Sequence, residues 1–320
     1  MPGLTSFPNG IASFGLPVYG SIQPSGAPLV QTVLFVDTVN GVNAGTGTSP
    51  TAPYATLAYA LTQIPSTGLG IYATIYVMQG STITVSSATA LLITTANVNI
   101  IGMGYGNERP LFDFTTANTA TIAVSADNVS FQNCRFKGDF LSIAAAFTLT
   151  TAKYFTLINN FFFDASSVLN FLNIVKSTGA ANTIDGLTCI SNQWNGLGTT
   201  SVNSFILTAN DINNATVSQN EIILARTATA AILMTVTAGV LTNLTCSGNN
   251  CVSQQTADTG GALISVGGST STGFVSWNVV CDLTTATDIL VTTTSGLRFF
   301  NNYKTGVVGA SGFLLPAADS

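Results

Sequence analysis

Any chemistry this chain performs must be built without imidazole, because its 320 residues include no histidine. That removes Ser-His-Asp and Cys-His nucleophilic catalysis, His-ligated metals and histidine acid-base work together. The five cysteines, Cys134, Cys189, Cys246, Cys251 and Cys281, are odd in number and lack the CxxC spacing of a zinc site. Three of them fall where a periodic apolar residue is expected, so they read as buried free thiols acting as small hydrophobes, with a Cys246–Cys251 disulfide as the alternative. Carboxylates remain. A glycosidase needs two of them ~5 to 9.5 Å apart, and Asp185, Asp211 and Glu221 are close enough in adjacent repeats to be candidates. A second arrangement is Asp127, Lys153 and Asp185, which stand two places ahead of successive repeats with alternating sign. As a site this is an acid-lysine-acid trio. As structure it is a ladder of surface ion pairs worth ~0.2 to 1 kcal/mol each. Scattered acids are ordinarily solvated turn residues, so no catalytic, cofactor or metal site is assigned.

Charge and hydropathy restrict the partners. With 8 basic and 13 acidic residues the net charge is -5 and no basic stripe exists, which argues against nucleic acid and anionic membrane. No apolar run approaches the ~18 residues needed to span a bilayer. Met1 to Val30 has no positive side chain and is broken by Pro2, Pro8, Pro17, Pro24 and Pro28, so no conventional export signal is expected. The sequons at Asn128, Asn214 and Asn243 carry no weight in a chain so rich in Asn and Thr.

What must position any functional group is a repeat. Val129 to Phe136, Phe155 to Phe162 and Leu187 to Trp194 share a pattern that continues at Ala215 to Ile222, Leu244 to Cys251, Gly273 to Val280 and Leu297 to Lys304. Weaker copies lie at Ala73 to Gly80 and Val98 to Tyr105. The sixth places, 134, 160, 192, 220, 249, 278 and 302, are separated by 26, 32, 28, 29, 29 and 24 residues, enough for three short strands and three turns. Apolar residues at places one and three share a strand face, which predicts an inward column of Phe131, Leu157, Cys189, Val217, Cys246, Val275 and Phe299. A second alternating strand precedes each copy, as at Thr121 to Val124, Phe147 to Thr150 and Ile289 to Thr292. Asn133, Asn160, Asn192, Asn220, Asn249, Asn278 and Asn302 are expected to stack, bonding to one another and to turn backbone.

The expected fold is therefore all-β: a single-stranded right-handed parallel β-helix of about nine coils over 73–306. An opening strand, loop and capping helix precede it at 31–72, and a C-terminal cap follows at 307–320, with Phe313, Leu314 and Leu315 closing the last coil. The cap helix is placed between Pro53 and Pro65, where Tyr54, Leu57, Ala58, Leu61 and Ile64 have helical spacing. Residues 1–30 have apolar positions too irregular for a helix or strand and are read as an extended arm that anchors to a partner, with Phe7, Phe14, Leu16 and Tyr19 as anchors.

The run from Leu34 to Leu61, with its Val36-Asp37 strand end, Asn40-Gly41 and Gly45-Thr46 loop and Pro53-Tyr-Ala-Thr-Leu57, resembles the opening of pectate-lyase-like β-helix domains. Leu4 to Gly20 is similar to short N-terminal segments of phage structural proteins. The resemblance implies a bacteriophage virion protein: a capsid decoration or head spike, homotrimeric, held to a major capsid or other virion protein through residues 1–30. Its alternative is a polysaccharide-binding or polysaccharide-degrading tailspike acting on a host surface glycan. The calcium-dependent elimination of the family needs an acidic cluster, and this chain departs from that pattern because its acids are sparse.

Overall fold

The computed structural model describes residues 31–65, 72–198, 204–225, 231–253, 263–268, 270–282 and 296–306, and the backbone of three short strands at Ile11–Ser13, Leu16–Val18 and Gly312–Leu314. The chain winds as a parallel β-solenoid with three sheets. The first sheet has ten strands, running from Gln31–Val36 to Gly296–Phe300; the second also has ten, from Thr82–Val85 to Gly312–Leu314; the third has seven, from Leu91–Ile93 to Ile264–Val266. Each turn places one strand in each sheet. Among the described residues seven turns are complete, fewer than the nine expected. The repeat frame counts first-sheet strands, and a turn closes only where the second and third sheets also contribute.

The inward column is present in one register: Phe131 pairs with Leu157, Leu157 with Cys189, Cys189 with Val217, Val217 with Cys246, Cys246 with Val275, and Val275 with Phe299. All but one of these are fully buried. Phe299, in the last described first-sheet strand, is only half-buried, because among the described residues no further first-sheet strand lies beyond it. Cys134, Cys189, Cys246 and Cys251 are buried free thiols and Cys281 is a half-buried one, so the Cys246–Cys251 bond is not formed. The interior between the second and fifth turns is aromatic. Phe112, Phe136 and Phe162 stack with ring centroids 4.9 and 4.7 Å apart, matching the strand spacing, while Phe131 and Phe147 meet edge to face.

The asparagine row differs from expectation at one end. Place six holds the ladder and begins at Asn160, because that place in the preceding turn is Cys134. Asn133 stands at place five, has φ 56° and donates to the carbonyls of Gly102 and Gly104. Place five is left-handed in every copy from there on: Asn159, Ser191, Gln219, Gly248, Trp277 and Asn301 all have positive φ. The corner thus splits its work, one residue making the bend and the next filling it. Asn192 donates through Nδ2 to Asn220 Oδ1 at 3.0 Å and to the Leu157 carbonyl at 3.0 Å, and the same Asn220 oxygen accepts the Asn192 backbone N–H at 3.0 Å. Asn160, Asn220, Asn249 and Asn278 repeat the pattern and Asn302 receives its end.

The single α-helix among the described residues is Leu57–Thr62, shorter than the Pro53 to Pro65 span. The Thr56 side chain accepts the Tyr59 N–H at its start, and Leu57, Ala60 and Leu61 are buried. Residues Ile11–Ser13 and Leu16–Val18 pair antiparallel, so part of the segment read as too irregular for a strand is a short hairpin. A two-stranded pair needs only local partners, which a periodicity search does not register. Side chains of Phe7, Phe14, Leu16 and Tyr19 lie outside the described residues, as do Leu315 and the strand expected at Ile289 to Thr292. The backbone of Gly312–Leu314 adds antiparallel to Asn302–Gly306.

Replacing Asn220 with Ala removes the acceptor of the Asn192 N–H and Nδ2 and the donor to the Cys189 carbonyl and Asn249 Oδ1, all inside the wall. We expect a loss on the order of 4 kcal/mol by chemical denaturation, against less than about 0.5 kcal/mol for the exposed control Asn195→Ala.

Candidate functional site

Parallel stacking in register lines up the outward side chains of each sheet, so a sparse set of charges can be gathered on one face. On the second sheet one outward column reads Leu111, Arg135, Phe161, Gln193, Glu221 and Asn250, and the next reads Asp113, Lys137, Phe163, Asn195, Ile223 and Val252. Cross-strand neighbours Asp113 and Lys137 meet there, and Asp139 joins them: Lys137 Nζ is 3.8 Å from Asp113 Oδ1 and 2.5 Å from Asp139 Oδ2, placing those two oxygens within about 6.3 Å of each other. Burial pushes the Asp113 carboxyl up, Lys137 opposing that and Asp139 adding to it. The hydrogen bond to Asp139 raises Lys137. Two carboxylates sharing one ammonium, one of them inclined to keep its proton, have the composition of an acid-base pair.

Beside this cluster the Phe161 and Phe163 rings stack at 5.3 Å and 16°, and the Arg135 guanidinium lies 5.3 Å from the Phe163 centroid. One step further, Gln193 Nε2 donates to Glu221 Oε2 at 3.0 Å. Phe161, Gln193, Trp194, Asn195, Glu221 and Ile223 line a shallow depression of about 170 Å³. A second depression, of about 220 Å³, is lined by Tyr72, Asn97, Asn99 and Asn128 and holds no carboxylate.

The carboxylates singled out in the sequence fall on two different elements. Asp185 and Asp211 belong to the turn leading into the first sheet, where each accepts a backbone N–H of the next turn, from Asn213 and Val240 at 2.8 Å. Glu221 instead opens a second-sheet strand. The Asp127, Lys153, Asp185 column is structural: Asp127 Oδ1 accepts the Lys153 backbone N–H at 2.9 Å, and exposed Lys153 reaches Asp185 Oδ2 at 3.9 Å. Asp113, Lys137 and Asp139 were missed because all three lie outside the repeat's own eight places, the first two on second-sheet strands and Asp139 just after one. Once Phe136 is set inward, alternation alone turns Arg135 and Lys137 out. Among the described residues no group of three or more Cys, Asp or Glu could hold a metal ion.

The same alternation, with Phe162 inward, sends Asp164 into the interior, in the column that holds Gly138 in the previous turn. Its carboxylate accepts N–H groups from Phe171 at 2.9 Å, Leu197 at 2.8 Å and Gly198 at 3.3 Å, fastening the excursion after its own strand to the following turn. Burial outweighs these three bonds and pushes the carboxyl up to about 7.

No family model matches the chain, and no curated protein matches it in sequence. Among solved structures it is similar to the GH136 lacto-N-biosidase from Eubacterium ramulus (9% identity, 86% of this chain and 68% of that one, TM-score 0.36). It is also similar to a rhamnogalacturonan lyase (10% identity, 89% of both chains, TM-score 0.39). At such identities and scores the activities named for those proteins carry no weight for this one.

Asp164 generates a pH dependence with a definite sign. Its carboxyl takes up a proton near 7 in the fold and near 3.8 when unfolded, so between those values the folded state holds more protons. Its contribution is fully present below about pH 4 and lost as pH rises through about 7, on the order of 4 kcal/mol in total. Asp164→Asn should flatten the dependence of the denaturation midpoint over this window, which urea titrations at pH 5 and pH 8 measure directly.

Proposed function

We propose that this chain is a structural rod of a bacteriophage virion, a capsid decoration or head spike attached through residues 1–30 and assembled as a homotrimer. The observation that carries the reading is the asparagine ladder, continuous from Asn160 to Asn302 within one wall of the solenoid. Ten first-sheet strands at about 4.8 Å give a body about 43 Å long in which bending or stretching must break buried hydrogen bonds. In this reading the solenoid is right-handed, the hand that parallel crossover connections adopt. The helix Leu57–Thr62, whose apolar side packs on the strands that begin the first and third sheets, caps one end and keeps the edge from pairing with another chain. The pectate-lyase-like opening at Leu34 to Leu61 supports the same assignment.

A second reading has its own observation. The Asp113, Lys137, Asp139 cluster beside the Phe161–Phe163 pair has the composition of a glycan-handling surface, with Asp113 as proton donor and Asp139 as base. If the chain is a polysaccharide-degrading tailspike, purified protein releases reducing ends from host capsule or lipopolysaccharide, and Asp113→Asn or Asp139→Asn lowers that rate at least ~100-fold. A preparation that releases none removes the degrading reading.

The rod assignment is tested by particle composition. Hundreds of copies per purified particle are expected of a decoration, and a handful would make it a tail part. Deleting Met1 to Gly26 should leave circular dichroism near that of the full chain and abolish incorporation. Incorporation of the truncated chain at normal copy number would place the attachment elsewhere.

A further inference from the structure

Two guanidiniums share one turn at the edge of the second sheet's outer face. Arg109 Nε donates to the Gly106 carbonyl at 3.1 Å, and Arg135 Nη1 donates to the next carbonyl, of Asn107, at 2.7 Å. The Arg135 backbone N–H is bonded to the Pro110 carbonyl at 2.9 Å, which ties the two segments together, and Arg109 Nη1 reaches on to the Asn159 carbonyl at 3.1 Å. Consecutive carbonyls therefore hold two like charges side by side. Burial and the neighbouring Arg135 both depress the Arg109 pKa.

Their charge is not balanced locally. Among the described residues the ion pairs are those of Lys137 with Asp113 and Asp139 and of Lys153 with Asp185. The two acids nearest to Arg135 along the sheet are thus occupied by Lys137, and Glu108, which precedes Arg109, pairs with neither arginine. Arg135 Nε is shielded from water and has no acceptor, so the donors left for a ligand are the remaining amino N–H groups of the pair. Adjacent cations with donors left over are what an oxyanion site looks like before its ligand arrives, since a guanidinium presents a planar fork that matches carboxylate or phosphate oxygens. What adjoins the pair is apolar and then amide-rich: Phe163 under Arg135, Phe161 stacked on it, then Gln193 and Asn195 at the depression.

We propose that Arg109 and Arg135 bind the anionic substituent, carboxylate or phosphate ester, of a sugar whose ring rests at the Phe161–Phe163 pair, so that this face selects acidic over neutral glycans. The proposal rests on the reading of this face as a glycan surface and requires no cleavage. The Arg135 side chain contributes both to the anion and to the aromatic platform, so Lys cannot replace it.

The test uses the full chain in calorimetric titrations at low salt with alginate as the carboxylated probe, phosphomannan as the phosphorylated one, dextran as the neutral one, and inorganic phosphate alone. Alginate or phosphomannan should bind at least tenfold more tightly than dextran, and whichever binds identifies the substituent. Arg109→Gln and Arg135→Gln should each lower that affinity tenfold or more, Arg135→Lys should restore little of it, and Glu108→Gln should strengthen it. Circular dichroism confirms that each variant is folded, and the gain in Glu108→Gln cannot arise from misfolding. Equal binding of dextran and both acidic polymers overturns the proposal while the glycan surface survives. Binding of inorganic phosphate with no polymer bound overturns the glycan surface and, with it, the proposal. No binding of any probe overturns both.

Discussion

The structure depends on one repeated constraint: from Asn160 onward, a polar side chain at the corner of each turn must be fully satisfied inside the wall. Each asparagine inside the ladder uses its oxygen for two donors of the preceding turn and its amide for one carbonyl and the next asparagine, as Asn192 does between Asn160, Leu157 and Asn220. An amide buried without those partners costs more than a hydrogen bond gains. The ladder therefore punishes any slip in register, because a shift by one residue would leave several groups unpaired at once and turn every inward side chain outward.

Register in turn explains the interior. With each turn stacked about one strand spacing above the last, identical side chains fall directly over one another, and Phe112, Phe136 and Phe162 become a stack without any further arrangement. The same geometry acts on the outer surface. A chain with few charges would scatter them over a globular protein, whereas the solenoid sets Asp113 against Lys137 and Arg135 next to Phe161 because those positions are paired across adjacent strands. The cross-strand pairs of the candidate site follow from translational order, and Asp139 and Arg109 join them from the segments flanking the strands.

Asp164 is the place where the repeat is broken for another purpose. Its inward position, under small residues in neighbouring turns, gives a carboxylate in an apolar wall, and the three N–H groups that converge on it come from two separate segments. It trades stability for a fixed path of the chain between the second and third sheets. Buried polar atoms without partners lie in the segments around it, at Asn170 Oδ1, Asn173 Oδ1 and Trp194 Nε1, as expected where lateral excursions interrupt the regular hydrogen-bonding pattern.

How much of this was legible in the sequence depends on what kind of order is involved. The spacing of apolar and asparagine residues by itself determined the all-β parallel solenoid, the first-sheet register from Phe131 to Val275 and the buried free cysteines, because a short-range pattern repeated at a fixed interval leaves only one way to bury its apolar face. The three candidate carboxylates are divided between two elements for the complementary reason. Asp185, Asp211 and Glu221 are close along the repeat, but the corner at Asn220 separates a turn into the first sheet from a strand of the second. The number of complete turns, the assignment of the bend to place five and the ladder to place six, and the meeting of Asp113, Lys137, Asp139, Arg109 and Arg135 were decided only in three dimensions. Those depend on how far each turn rotates before the next strand begins, and turn lengths of 24 to 32 residues vary too much for residue spacing to carry that angle.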